Sequence, residues 1–123
     1  MVSKKSPDKF SASLCQLDDA LKFYDAKSPK HHLQFLAVSK AFEVAVEYAW
    51  KELKRKVEEE GVEALSPKDA VRQSAKLQFI SSAEDWLDFI NTRNSSVHDY
   101  FGISEKDYVA IAEKFLSQAR KLI

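Results

Sequence analysis

With one cysteine, Cys15, the chain has no partner for an intrachain disulfide, and a reducing cytoplasm is its expected home. No apolar run approaches the ~20 residues that a bilayer span requires, so no membrane association is expected. MVSKKSPDKF at the N-terminus carries positive charge but no apolar segment behind it, which excludes a secretory signal; residues 1–6 read as a frayed tail. Charge of either sign is not in excess: 19 basic residues balance 19 acidic ones. Proteins held to nucleic acid by backbone electrostatics are usually basic, so such a role needs a local patch or a second subunit. KELKRK (Lys51–Lys56) is the best patch, but Glu58, Glu59 and Glu60 follow it at once, as on a solvated helix face. No stretch alternates with period two, so no strand is expected. A metal site lacks ligands too. His31 and His32 are adjacent, about 100° apart on a helix, and no Cys/His/acid cluster joins them. Neither metal nor cofactor is expected.

What the chain does have is helix punctuation. Its three prolines all follow serine, at Ser6-Pro7, Ser28-Pro29 and Ser66-Pro67. A serine cap followed by proline in the first turn is a helix start, because the hydroxyl accepts an orphan N–H and proline lacks one. Ser82 with Asp85 and Ser104 with Asp107 give two more starts, and the only glycines, Gly61 and Gly102, read as stops. Phe10, Leu14, Leu17, Leu21 and Tyr24 recur in steps of four and three, one buried stripe. The second helix has two: Phe35, Val38, Phe42, Val46, Ala49, Leu53 and Val57 on one, Ala37, Ala41, Val44 and Tyr48 on the other. Tyr108, Ile111, Phe115, Ala119 and Leu122 mark the last helix. The fold expected is all-α: an antiparallel up-and-down four-helix bundle with one additional short helix, a single domain over residues 1–123. The doubly striped helix, with Trp50 and Trp86, offers more apolar surface than one small bundle buries, so a homodimer is expected.

One stretch interrupts this pattern. RNSSVHDYFG places Arg93, His98 and Tyr100 within eight positions, among small polar residues that are poor helix formers. Composition alone reads it as a polar connection between helices. Chemically, however, arginine grips phosphate through two parallel N–H donors, and histidine exchanges protons near neutrality. The pair suits phosphodiester cleavage, in which charge builds on phosphoryl oxygens. Five residues on an unbroken helix leave Arg93 and His98 about 140° apart. They converge only if the helix breaks at Asn94, Ser95 and Ser96, or if two chains share one site.

Arg93 to Tyr100 matches the R-x4-H-x-Y motif of HEPN-domain proteins. The chain resembles most the branch of nucleotidyltransferase substrate-binding proteins, found beside minimal nucleotidyltransferases (MNT). FEVAVEYAWKELKRKVEEEGV is similar to that branch's second helix, SPKDAVRQSAKLQFI to its third and WLDFINTRNSSVHDY to its fourth. The likeness runs from about Phe35 to Tyr100. It implies an all-α homodimer paired with an MNT-type nucleotidyltransferase, acting on RNA or a nucleotide. In the toxin–antitoxin members the motif forms a metal-independent ribonuclease site, silenced when the partner adenylylates the tyrosine. By position, Arg93 would bind phosphate, His98 would be the general acid or base, Asn94 would support them and Tyr100 would accept AMP. The alternative is a non-catalytic subunit that binds nucleotide or substrate for the nucleotidyltransferase; a purely structural helical dimer is a third reading.

Overall fold

Serine caps set three of the five expected helix starts. In the computed structural model, which describes residues 6–98 and 104–123, Ser66 Oγ accepts from the Asp69 amide, Ser82 Oγ from that of Asp85 and Ser104 Oγ from that of Asp107, each at 3.1 Å. The helices are α1 (Ser6–Phe23), α2 (His31–Glu59), α3 (Pro67–Lys76), α4 (Ala83–His98) and α5 (Glu105–Ala119), followed by a short 3-10 turn, Arg120–Leu122. The described residues hold no strand. No described helix is long and apolar enough to cross a membrane.

Two expected starts shift. Ser6 is the first residue of α1 rather than its cap. α2 begins at His31, not at Pro29, and its cap position, Lys30, makes no side-chain hydrogen bond. Ser28 spends its hydroxyl on the Lys30 amide and its carbonyl on the His31 amide, each at 3.0 Å. That local turn competes with capping for the same oxygen. At the other end α2 stops as expected, with Gly61 at φ +81°. Gly102 lies outside the described residues.

α3 ends on a feature that the spacing does not announce. The Phe79 amide donates to the Ser74 carbonyl at 2.9 Å and the Gln78 amide to that of Ala75 at 3.1 Å. This is a Schellman ending, whose left-handed residue is usually glycine. Here it is Gln78, at φ +65°. A side chain in that region costs about 1 kcal/mol. Gln78→Gly should therefore raise the unfolding free energy by about that amount, as read in urea titrations; an unchanged or lower value would show that the side chain stabilises the turn.

The four long helices alternate in direction. Tyr24, at the end of α1, and His31, at the start of α2, both meet Glu105 at the start of α5. Asp85, near the start of α4, meets Lys114 and Gln118 late in α5. Inside, Phe42, Trp86 and Phe89 each pack edge-to-face on Phe115, with centroids 5.4–5.7 Å apart, and Tyr108 joins Phe35 and Phe42. The first stripe of α2 is buried throughout, Phe35 to Val57. Trp86 is buried in this core at 1% exposure, so it is a core anchor and offers no surface to a second subunit; Trp50 is half-buried. The second stripe stays at the surface: Ala37 is exposed, and Ala41, Val44 and Tyr48 are half-buried. Beyond the main core, Val57, Ala64 and Ala70 form a small separate cluster under the α2–α3 connection.

Candidate functional site

α4 does not break where the motif's polar residues would permit it. It runs through Asn94, Ser95 and Ser96 to His98. Each of these residues is only a fraction of a kcal/mol worse than alanine in a helix, and the packed residues Trp86, Phe89 and Ile90 on the same helix hold it to the core. Arg93 and His98 therefore stand about 140° apart around one helix axis. One chain's α4 does not bring the two positions together. Asp99 and Tyr100 lie outside the described residues.

Arg93 instead faces α2. Its guanidinium Nη2 is 3.4 Å from Glu47 Oε1, and its Nη1 is 3.5 Å from Asn94 Oδ1. Both distances are near the limit of a hydrogen bond. Glu47 also pairs with Lys51 Nζ at 3.5 Å. Arg93 thereby closes one side of a hollow of about 260 Å³ lined from α2 by Lys40, Glu43, Val44, Glu47, Tyr48 and Lys51. Sequence reasoning missed Lys40, Glu43, Glu47 and Lys51 as site residues, although their spacing of three, four and four puts them on one helix face. The signal was present; what it lacked was a partner helix to make it a groove. Val44 and Tyr48, from the second stripe, floor the same hollow.

At the end of the bundle from which the motif segment emerges, one carboxylate gathers three helices. Glu105 Oε1 accepts from Tyr24 Oη and lies against His31 Nδ1, both at 2.9 Å, and Oε2 is 3.6 Å from His32 Nδ1. The adjacent imidazoles that diverge on their own helix thus reach the two oxygens of one group. No trio of His, Cys, Asp or Glu among the described residues is arranged to hold a metal. Burial by itself would raise the Glu105 pKa, but the hydrogen bonds from His31 and Tyr24 outweigh it and hold the carboxyl below its usual value. A carboxyl depressed in the folded state stabilises above its unfolded pKa, about 4.3, and that contribution is lost as pH falls through the folded value. Glu105 is partly solvated, so the effect is modest. Glu105→Gln should lower stability at neutral pH and flatten its decline below about pH 4; parallel acid-unfolding curves for the two proteins would contradict this.

A sequence model of the family described as "Nucleotidyltransferase substrate binding protein like" matches residues 6–123. Among solved structures the chain is similar to HI0074 from Haemophilus influenzae, described as a substrate-binding domain of a nucleotidyltransferase. The two are 18% identical, with a TM-score of 0.78 over 92% of this chain and 93% of that one; at this identity the likeness is one of fold. A protein from Thermus thermophilus is 26% identical, with a TM-score of 0.67 over 90% of this chain and 98% of that one. No curated protein matches the chain.

Proposed function

The chain belongs to the nucleotidyltransferase substrate-binding protein-like family, and from that premise we propose that it is a binding subunit which holds an anionic substrate for a separate nucleotidyltransferase. The observation that carries this reading is the α2–α4 groove. Three cations, Lys40, Lys51 and Arg93, line one hollow against two carboxylates, Glu43 and Glu47, and the arginine fork suits a phosphate or carboxylate. Glu47 touches one arm of the fork, Nη2, at 3.4 Å, so an anion gripped by both arms would displace that carboxylate. With α4 continuous from Ala83 to His98, positions 93 and 98 lie about 140° apart on one helix, which fits binding better than Arg–His chemistry by one chain.

The test needs the cognate enzyme, sought as a neighbouring small protein with the Gly-Ser and Asp-x-Asp nucleotidyltransferase signature. Adding this chain should lower the KM of that enzyme for its acceptor. Arg93→Ala should weaken the effect about 10–100-fold, the worth of one or two charge-assisted hydrogen bonds, without loss of fold. An acceptor KM that is the same with and without the chain defeats the reading.

A second reading is favoured by the motif itself. Arg93 to Tyr100 keeps the complete R-x4-H-x-Y spacing, which supports a metal-independent ribonuclease toxin with Arg93 on phosphate, His98 as general acid or base, and Tyr100 as the AMP acceptor through which an MNT partner silences it. Such a site needs a homodimer, in which Arg93 of one chain meets His98 of another. The half-buried second stripe of α2 beside Arg93 is the apolar surface on which two chains would meet. Intact-mass spectrometry with the partner and ATP should show one added AMP that is absent in Tyr100→Phe; persistence of the adduct in that variant moves the acceptor elsewhere.

A further inference from the structure

A second hollow lies away from the Arg93 groove, at the opposite end of α4. It has a volume of about 530 Å³ and sits between the α3–α4 connection and the C-terminal end of α5, within the range of small-molecule sites. Its walls are apolar where Phe79, Ile80 and Leu122 line it, with Trp86 at its base. Its polar lining residues are Gln78, Ser81, Gln118 and Lys121.

Three observations single this hollow out. Gln78 keeps a left-handed backbone where glycine would relieve it, and strain retained beside a cavity is a mark of function. Gln118 is fixed, its amide nitrogen donating to Asp85 Oδ2 at 2.8 Å, which leaves its carbonyl oxygen without a hydrogen bond among the described residues. Asp85 is in turn held by Lys114 at 2.9 Å. Lys121 has no ion-pair partner among the described residues, whereas its neighbour Arg120 is paired with Asp18 at 3.3 Å.

We infer that this hollow is a second binding site, for a small ligand with a planar hydrogen-bonding body and one anionic group, of the nucleoside monophosphate class. A carboxamide offers a donor and an acceptor side by side, matched to the edge of a nucleobase. Phe79, Ile80 and Leu122 cover the apolar faces of such a ring, and Lys121 meets the phosphate as a point charge. The site is independent of the proposal made for the Arg93 groove.

Trp86 provides the readout. In a Trp50→Phe background it is the only tryptophan, and AMP should change its fluorescence saturably. Adenosine and ribose 5-phosphate should each bind at least about tenfold more weakly, the loss of roughly one good contact. Lys121→Ala should weaken AMP about tenfold while leaving adenosine unchanged. Gln78→Gly should weaken AMP and adenosine alike while raising the melting temperature, a combination that a purely structural role does not give. Arg93→Ala should leave all of these values in place, which separates this site from the groove. No saturable change with AMP up to about 10 mM, or AMP affinity untouched by both Lys121→Ala and Gln78→Gly, overturns the inference.

Discussion

Phe115→Ala should cost about 3–5 kcal/mol, the range for removing a fully buried aromatic ring from a core. A domain of this size has only about 5–15 kcal/mol in all, so the variant should unfold at far lower urea and by tens of degrees less heating. The reason is position. Phe115 has no exposed surface, and it receives Phe42 from α2 and both Trp86 and Phe89 from α4. Deleting it leaves a cavity where three helices meet and removes three edge-to-face contacts, each worth about 0.5–1.5 kcal/mol beyond area. Phe23 supplies the control, since its side chain is 62% exposed and Phe23→Ala should stay within about 0.5 kcal/mol of the parent. A loss below about 2 kcal/mol for Phe115→Ala would mean that the core collapses around the gap.

The largest effect on activity belongs to the ribonuclease reading. Arg93→Ala and His98→Ala should each lower RNA cleavage about 10²–10⁴-fold, through loss of a charge-stabilising donor in one and a proton carrier in the other. Because α4 is continuous from Ala83 to His98, the two variants should complement each other. In a mixed dimer one of the two shared sites keeps both wild-type residues, so random exchange restores about a quarter of all sites. Mixing the inactive variants and measuring cleavage is therefore decisive. Recovery supports a site built by two chains, and no recovery excludes it. Cleavage at the parent rate by either variant alone leaves the binding subunit as the reading to pursue.

The bundle was legible because its signals are local. Ser66, Ser82 and Ser104 cap with their own hydroxyls, and the stripe from Phe35 to Val57 needs only the helical repeat to show which side is buried. Ser28 has the same sequence signature but uses its oxygen in a turn, a competition within a few residues that spacing does not resolve. Trp86 reads in sequence as either core or interface, and only the neighbouring rings of Phe89 and Phe115 decide between them. The site was half legible. Arg93 stands out by chemistry, while Lys40, Glu47 and Lys51 gain meaning only when α4 is laid against α2. Gln78 carries no signal at all, because glutamine is rarely the residue that takes a positive φ.

One helix is much longer than its neighbours, and this has a consequence for how the molecule opens. With 29 residues against 16 in α4 and 15 in α5, α2 extends about 43 Å where they extend about 23 Å. Its overhanging last turns are covered by α3 and by the small Val57–Ala64–Ala70 cluster, apart from the aromatic core. That end has its own thin apolar support, so it can fray and re-form while Phe42, Trp86 and Phe115 stay packed. The chain thus has a weaker end beside a stronger core: amide protons in the last turn of α2 and in its connection to α3 would exchange through partial opening, and those around Val71 and Phe115, both in the main core, only through global unfolding.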